Sequence, residues 1–420
     1  MTSYHFLMDL AIILLSTKLM GLLTQRFHLP QVVGALVAGL LLGPACLGIL
    51  QETDFIKSTA EIGVIVLMFC AGLETDVEEL KRNGKASLVI ALLGVLVPLG
   101  GGFLVALFFN RPHRIPSDAS ASLFLQNLFI GVILTATSVS ITVETLKELG
   151  KLQTKSGSAI MGAAVIDDIL GIIALTIVTS MADESVSLVT VLLKILGFFV
   201  FVAVCALPFY KFYVWWSSFG RLKHRHAIIA FVFCLVMSYC AEELFGVADI
   251  TGAYLAGMII AMTQTTQYLA SQFDTVSYLL LSPMFFASIG LRVEIPQMSA
   301  MIILFTVVLV LVAIITKIIG CGLACKLCGY RTCTSLQVGV GMVSRGEVAL
   351  IVANQGVSYG LISSSLLGPI VIMVLITTIV TPILQKIVYA RTAVVPNPVN
   401  PDVANFREMR KIPQSETKEK

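Results

Sequence analysis

Long apolar runs separated by short polar stretches fill this chain from about residue 6 to residue 390. Runs long enough to cross a bilayer as helices fall at about 6–25, 29–50, 58–74, 86–109, 120–143, 156–180 and 185–214. They continue at about 224–245, 248–263, 271–292, 299–326, 333–356 and 362–390. The pattern predicts an all-α polytopic membrane protein with about 13 transmembrane helices, residues 1–390 forming one membrane domain. After Arg391 the chain turns polar and proline-dotted, and 391–420 is expected to be a disordered cytoplasmic tail.

Composition removes the soluble alternatives. The 420 residues are 57% hydrophobic and 13% charged, with a mean hydropathy of +0.93. No stretch before the tail is long and polar enough for a soluble catalytic or nucleic-acid-binding domain, so neither an enzyme nor a nucleic-acid partner is expected. The first run, Phe6 to Leu23, lacks a small-residue cleavage site after it, so no removable signal is expected.

The net charge of +3 says less than where the charges fall. One set of alternate loops carries 13 lysines and arginines, among them Lys81, Arg82, Lys147, Lys151, Lys155, Lys326 and Arg331. The other set carries only Lys57, Arg111, Arg114 and Arg292. The positive-inside rule then puts the N-terminus outside and the C-terminus in the cytoplasm of a plasma (bacterial inner) membrane, as an odd number of spans requires.

The chain echoes itself. VVGALVAGLLLGP in the second run resembles DITGAYLAGMIIAM in the ninth, and LMFCAGLETDV in the third resembles PMFFASIGLRVEI in the tenth. Runs seven places apart have opposite directions across the membrane. The matches therefore predict two inverted-topology repeats of five spans, an architecture of secondary transporters whose binding site lies between the repeats at mid-membrane.

Four runs contain polar groups that lipid-facing helices do not need. The sixth, SAIMGAAVIDDILGIIALTIV, carries Asp167 and Asp168 at mid-depth, where each costs at least ~2.5–3.5 kcal/mol to insert. Adjacent residues lie about 100° apart on a helix, so one carboxylate can face a partner charge and the other a water-filled cavity. An ion pathway and a pair of satisfied structural carboxylates are the two readings. The fifth run, ILTATSVSITVETL, and its repeat counterpart, VGVGMVSRGEVALIV, are candidates for discontinuous helices whose freed carbonyls and hydroxyls coordinate a cation. Hydroxyls bonding back to their own helix are the plainer account of Thr135, Thr137, Ser138, Ser140 and Thr142.

Arg345 and Glu347 cannot face lipid and are expected to pair inside the bundle, in either a structural or a transport role. Lys317 either snorkels to the inner surface or partners Asp167. Four cysteines, Cys321, Cys325, Cys328 and Cys333, match no standard zinc spacing and read as reduced filler. A carboxylate, threonine hydroxyls and backbone carbonyls form a hard oxygen site suited to Na+ or Li+. If proton and cation compete for one carboxylate, and only occupied forms cross, obligatory antiport results.

VIDDILG, TATSVSITVETLKELG, AEIGVIVLMFCAGLETD and MVSRGEVALIVANQG together resemble the monovalent cation:proton antiporter-2 family, especially its NapA-like and GerN-like sodium/proton antiporters. The resemblance covers nearly all of residues 5–390. It implies an NhaA/NapA-like fold with crossed discontinuous helices, and a homodimer. The dimer domain would be about 1–75 and 215–292, the linker helix about 185–214, and the mobile core domain about 86–180 and 299–390. It further implies that Asp168 is the shared cation and proton carboxylate, with Thr137 and Ser138 beside the ion and Asp167 paired with Lys317. Glu74 and Asp76 would line the entrance funnel, and the Asp-Asp pair implies electrogenic exchange of cytoplasmic Na+ or Li+ for external H+. No cofactor is implied beyond the transported ions. A K+/H+ antiporter is the rival within the family, and a sodium-coupled solute symporter the rival outside it. The symporter would need an organic-substrate site that no polar or aromatic cluster supplies.

Overall fold

The computed structural model describes residues 4–27, 29–111, 115, 118–182, 187–218, 224–263, 265–293 and 298–390. The tail expected at 391–420 lies outside them. The helices of the first half are α1 (His5–Arg26), α2 (Gln31–Leu42), α3 (Asp54–Leu73), α4 (Val77–Phe109), α5 (Leu123–Ile133), α6 (Val139–Glu148), α7 (Lys155–Ala182) and α8 (Leu188–Ser218). Those of the second half are α9 (His224–Tyr239), α10 (Asp249–Ala261), α11 (Thr266–Val276), α12 (Ser282–Leu291), α13 (Ala300–Leu327), α14 (Thr332–Gly341), α15 (Glu347–Ser358) and α16 (Leu367–Ala390). A π-helical turn, Ser277–Leu281, joins α11 to α12 as one span.

Among the described residues, nine helical spans are long and apolar enough to cross a membrane unaided. The short helices α2 and α10 and the two interrupted units, α5 with α6 and α14 with α15, bring the total to the expected thirteen. The second run differs most from its expected length. Its apolar pattern continues to residue 50, yet α2 stops at Leu42, because Gly43-Pro44 follows and proline neither donates a backbone bond nor lets its predecessor stay helical. Other boundaries follow local chemistry. The Asp76 side chain accepts from the amides of Glu78 and Glu79 at 2.9 and 3.0 Å and starts α4. Gly150 at φ +64° and Gly329 at φ +85° take the left-handed conformation that ends α6 and α13.

The inverted repeats appear as reciprocal packing. Helix α2 of the first repeat lies on α12 of the second, and α3 lies on α10. Both contacts are made through glycine. A Cβ on Gly39 would sit 2.1 Å from the Ala287 carbonyl oxygen, and one on Gly257 would sit 2.3 Å from that of Phe69. Gly39 and Gly257 are the matched glycines of GALVAG and GAYLAG, so one close contact occurs twice. Lipid offers no hydrophobic drive for helices to associate, so backbone-to-backbone packing at small residues carries the fold. Helix α4 packs on its counterpart α13; α4 also lies against α7 and α5, and α13 against α14. Outward-facing apolar residues such as Leu193, Val204, Leu207 and Ile228 remain exposed, as a surface meeting hydrocarbon requires.

Candidate ion site at the helix crossing

Helix α5 stops at Ile133 and α6 begins at Val139, while α14 stops at Gly341 and α15 begins at Glu347. The two intervening segments meet. The Ser138 amide donates to the Ser344 carbonyl at 2.8 Å, and the Ser344 hydroxyl donates to the Ser138 carbonyl at 2.6 Å. The Thr142 hydroxyl donates to the Gly341 carbonyl at 2.6 Å. Unwound backbone at membrane depth needs partners inside the protein, and each break supplies them for the other.

Arg345 completes this pairing. Its side chain is fully buried, and it donates to the carbonyls of Leu134 at 2.7 Å, Val343 at 3.1 Å and Ala313 at 3.4 Å. The first two carbonyls lie at the C-terminal ends of α5 and α14, where the helix dipole is negative. A cation placed there needs no carboxylate. Thr378 of α16 donates to the Arg345 carbonyl at 2.5 Å and ties the crossing to the last helix.

The carboxylates stand on α7 beside this crossing. Lys317 of α13 places Nζ 3.0 Å from both Asp167 oxygens, and Thr137, in the α5–α6 break, donates to Asp167 Oδ2 at 2.6 Å. Lys317 is 0% exposed and Asp167 3%, so the ammonium does not snorkel to the surface. A buried pair of this kind persists only when its remaining valences are filled, and Thr137 fills one. Asp168, one residue further round the helix, is half-buried and has no hydrogen-bond or ion-pair partner among the described residues. One carboxylate is locked and its neighbour is free.

The other expected residues are spread out. The Ser138 hydroxyl lies 3.3 Å from that of Ser140. Glu347 pairs with Arg292, beyond the end of α12, at 3.3 Å, and Arg292 also holds Glu52 at 2.5 Å. Glu74, just after α3, lies 3.5 Å from Lys147 of α6, which also bonds Asp274 of α11. Asp76 is the cap of α4. Neither Glu74 nor Asp76 lines the cavity of about 570 Å³ whose wall carries Glu144, Glu148 and Asp274. Pattern reading missed Glu148 and Asp274 because their partners are remote in sequence: Lys147 and Asp274 are 127 positions apart. Among the described residues, no three histidine, cysteine or carboxylate side chains converge to hold a metal, and Cys321 and Cys325 are buried on α13.

Inverted repeats, two crossed interrupted helices and a buried lysine–carboxylate pair beside a free carboxylate define the class of ion-coupled secondary transporters. The chain belongs to the sodium/hydrogen exchanger transmembrane family, whose pattern matches residues 11–388, and so to the monovalent cation:proton antiporters. It is 37% identical to the Na(+)/H(+)-K(+) antiporter GerN of Bacillus cereus, over 91% of this chain and 96% of that protein. It is 40% identical to the probable Na(+)/H(+) antiporter GerT of the same organism, over 91% and 98% of the two chains. The fold is also that of the sodium proton antiporter MjNhaP1 from Methanocaldococcus jannaschii at pH 8, with a TM-score of 0.67 at 17% identity. That match covers 92% of this chain and 98% of the other.

Proposed function

We propose that this protein exchanges cytoplasmic Na+, or Li+, for external H+ across a plasma membrane, with Asp168 taking either the cation or a proton. The observation that carries the reading is the contrast between the two carboxylates. Asp167 has its charge met by Lys317 and its lone pair by Thr137, whereas Asp168 has neither. The Thr137 hydroxyl gives its proton to Asp167, which leaves its own lone pairs for a cation near Asp168. Backbone carbonyls at the crossing supply further hard oxygen ligands.

The working cycle uses two bodies. The core domain, about 86–180 and 299–390, moves against a dimer domain of about 1–75 and 215–292, with 185–214 as the linker and the dimer domains of two copies joined. Helices α2, α3, α10 and α12 pack on each other through glycine and suit the static role. Only the cation-loaded or protonated Asp168 crosses, because a bare carboxylate would have to be carried through a poorly polarisable interior. The Asp167–Lys317 pair offers a second proton carrier, so exchange moves net charge. The lysine-rich loops set the N-terminus outside and the C-terminus inside.

Potassium is the alternative cargo, favoured by the name of GerN, to which this chain is 37% identical. Proteoliposomes holding a pH gradient, challenged in turn with Na+, Li+ and K+ with and without an imposed membrane potential, test the reading. Dissipation by Na+ and Li+, faster under a favourable potential and absent in Asp168→Asn, is expected. A response to K+ alone would remove sodium as the cargo. Exchange surviving in Asp168→Asn would remove Asp168 as the carrier.

A further inference from the structure

Gly94 stands on α4 where that helix covers the buried ion pair. A Cβ built there would lie 2.7 Å from the Cys321 sulfur, 3.6 Å from Asp167 Oδ1 and 3.8 Å from Lys317 Nζ. Non-bonded heavy atoms settle at about 3.5–4.0 Å, so a methyl fits at this position only if the sulfur gives way. Cys321 lies one turn beyond Lys317 on α13 and is 0% exposed. The close approach is returned from the other helix: a Cβ on Gly320 would lie 2.7 Å from the Leu93 carbonyl oxygen and 3.1 Å from Val97 Cβ. One glycine from each helix therefore closes the seam between α4 and α13 beside the pair. From Ala86 to Phe109 α4 carries no charged side chain, so it offers the pair contact rather than charge. Where Gly39, Gly257 and Gly320 meet backbone, Gly94 meets a side-chain sulfur and both charged atoms of the pair. That difference gives it a task beyond helix packing. A lysine ammonium rides on a flexible four-carbon stem, and holding Nζ 3.0 Å from both Asp167 oxygens needs walls around it.

We propose that Gly94 and Cys321 form a matched seat that positions Lys317 against Asp167 and keeps water from the pair, so that α4 governs proton delivery by it. Gly94 is a positioning residue and touches no cation. The inference rests on the antiport reading above, in which the pair is the second proton carrier. A methyl at Gly94 drives the sulfur, and the lysine stem one turn away, out of register. A buried pair pulled apart loses its attraction while its desolvation cost remains, and water enters to meet the charges. The pair then carries less charge through the cycle, while Asp168 still exchanges.

Proteoliposomes holding wild type, Asp168→Asn, Gly94→Ala and the double variant Gly94→Ala/Cys321→Ala test the seat. Na+-driven dissipation of a pH gradient is measured with and without an imposed membrane potential, and the ratio of the two rates is the readout. Active wild type and inactive Asp168→Asn show that the antiport reading stands, and a failure there counts against that reading rather than against the seat. A wild type indifferent to the potential removes the second carrier and the seat's task with it. Gly94→Ala is expected to keep exchanging while its acceleration by the potential falls at least about twofold. The double variant is expected to regain the wild-type ratio, because the sulfur removed stood 2.7 Å from the methyl added and the volume is nearly conserved. A glycine that serves helix packing alone would lower both rates together and leave the ratio unmoved. An unmoved ratio, or a double variant no better than Gly94→Ala, overturns the assignment. If Gly94→Ala does not fold, Cys321→Val overfills the seat from α13 with Gly94 in place. A reduced ratio then supports the seat, and the wild-type ratio rejects it.

Discussion

Lys317→Ala removes one half of the most deeply buried ion pair among the described residues, and the structure sets the size of the effect. Both Asp167 oxygens lie 3.0 Å from Nζ, and neither residue meets solvent. Breaking such a pair by deleting one partner costs about 3–5 kcal/mol, because a charge is left buried without its counter-ion. Thr137 still donates to Asp167 at 2.6 Å, a bond to a charged acceptor that retains about 1.5–3 kcal/mol. A net loss near the lower end of the range, about 3 kcal/mol, is therefore expected. Asp167→Asn strands the ammonium instead, and that ammonium has no carbonyl or hydroxyl partner among the described residues, so its loss should be at least as large. The double variant buries no net charge. It should recover about 2 kcal/mol relative to the sum of the singles, as coupled neighbours do. Unfolding of the purified protein in mixed micelles, titrated with SDS and followed by circular dichroism, gives all four corners of the cycle. Single losses below 1 kcal/mol, or losses that simply add in the double variant, would refute the view that this pair holds α7 to α13.

Two further expectations concern packing and pH. Gly257→Ala places a methyl 2.3 Å from the Phe69 carbonyl oxygen, so α10 must move off α3 at a cost of about 1–3 kcal/mol. The same assay checks this, and a wild-type midpoint would show that the helices do not depend on that contact. Asp118, in the loop before α5, is held at about 2 rather than the ordinary 3.8 by the hydroxyls of Ser363 and Ser364. A lowered folded value means the tether is complete above the ordinary carboxylate range and is lost as pH falls toward 2. Hydrogen exchange at the Ser364 amide, which donates to Asp118 at 3.1 Å, should accelerate over that window once corrected for the intrinsic rate. Asp118→Asn should lose the pH dependence, and identical protection in the variant at every pH would dismiss the tether.

Much of the architecture was legible in the amino-acid sequence because a bilayer leaves few choices. Apolar runs of spanning length must be helices, and all thirteen runs correspond to membrane-crossing units. The repeated GALVAG and GAYLAG signalled the duplication, and the polar clusters at Thr135–Thr142 and Ser344–Glu347 marked the interrupted helices. The Gly43-Pro44 stop was written in the chain too, though hydropathy alone ran past it.

The partner of each charge was not legible. Lys317 could have snorkelled, and only the packing of α4 against both α7 and α13 shows its ammonium sealed against Asp167. Arg345 and Glu347 are two residues apart, yet one is bound by carbonyls and the other by Arg292 from a different span. The different surroundings of Asp167 and Asp168 likewise depend on which neighbour each meets. Residue type and spacing determine that a charge is buried, since the cost of placing it in hydrocarbon is local. What neutralises it is decided by helices that are distant in sequence and adjacent only in the fold.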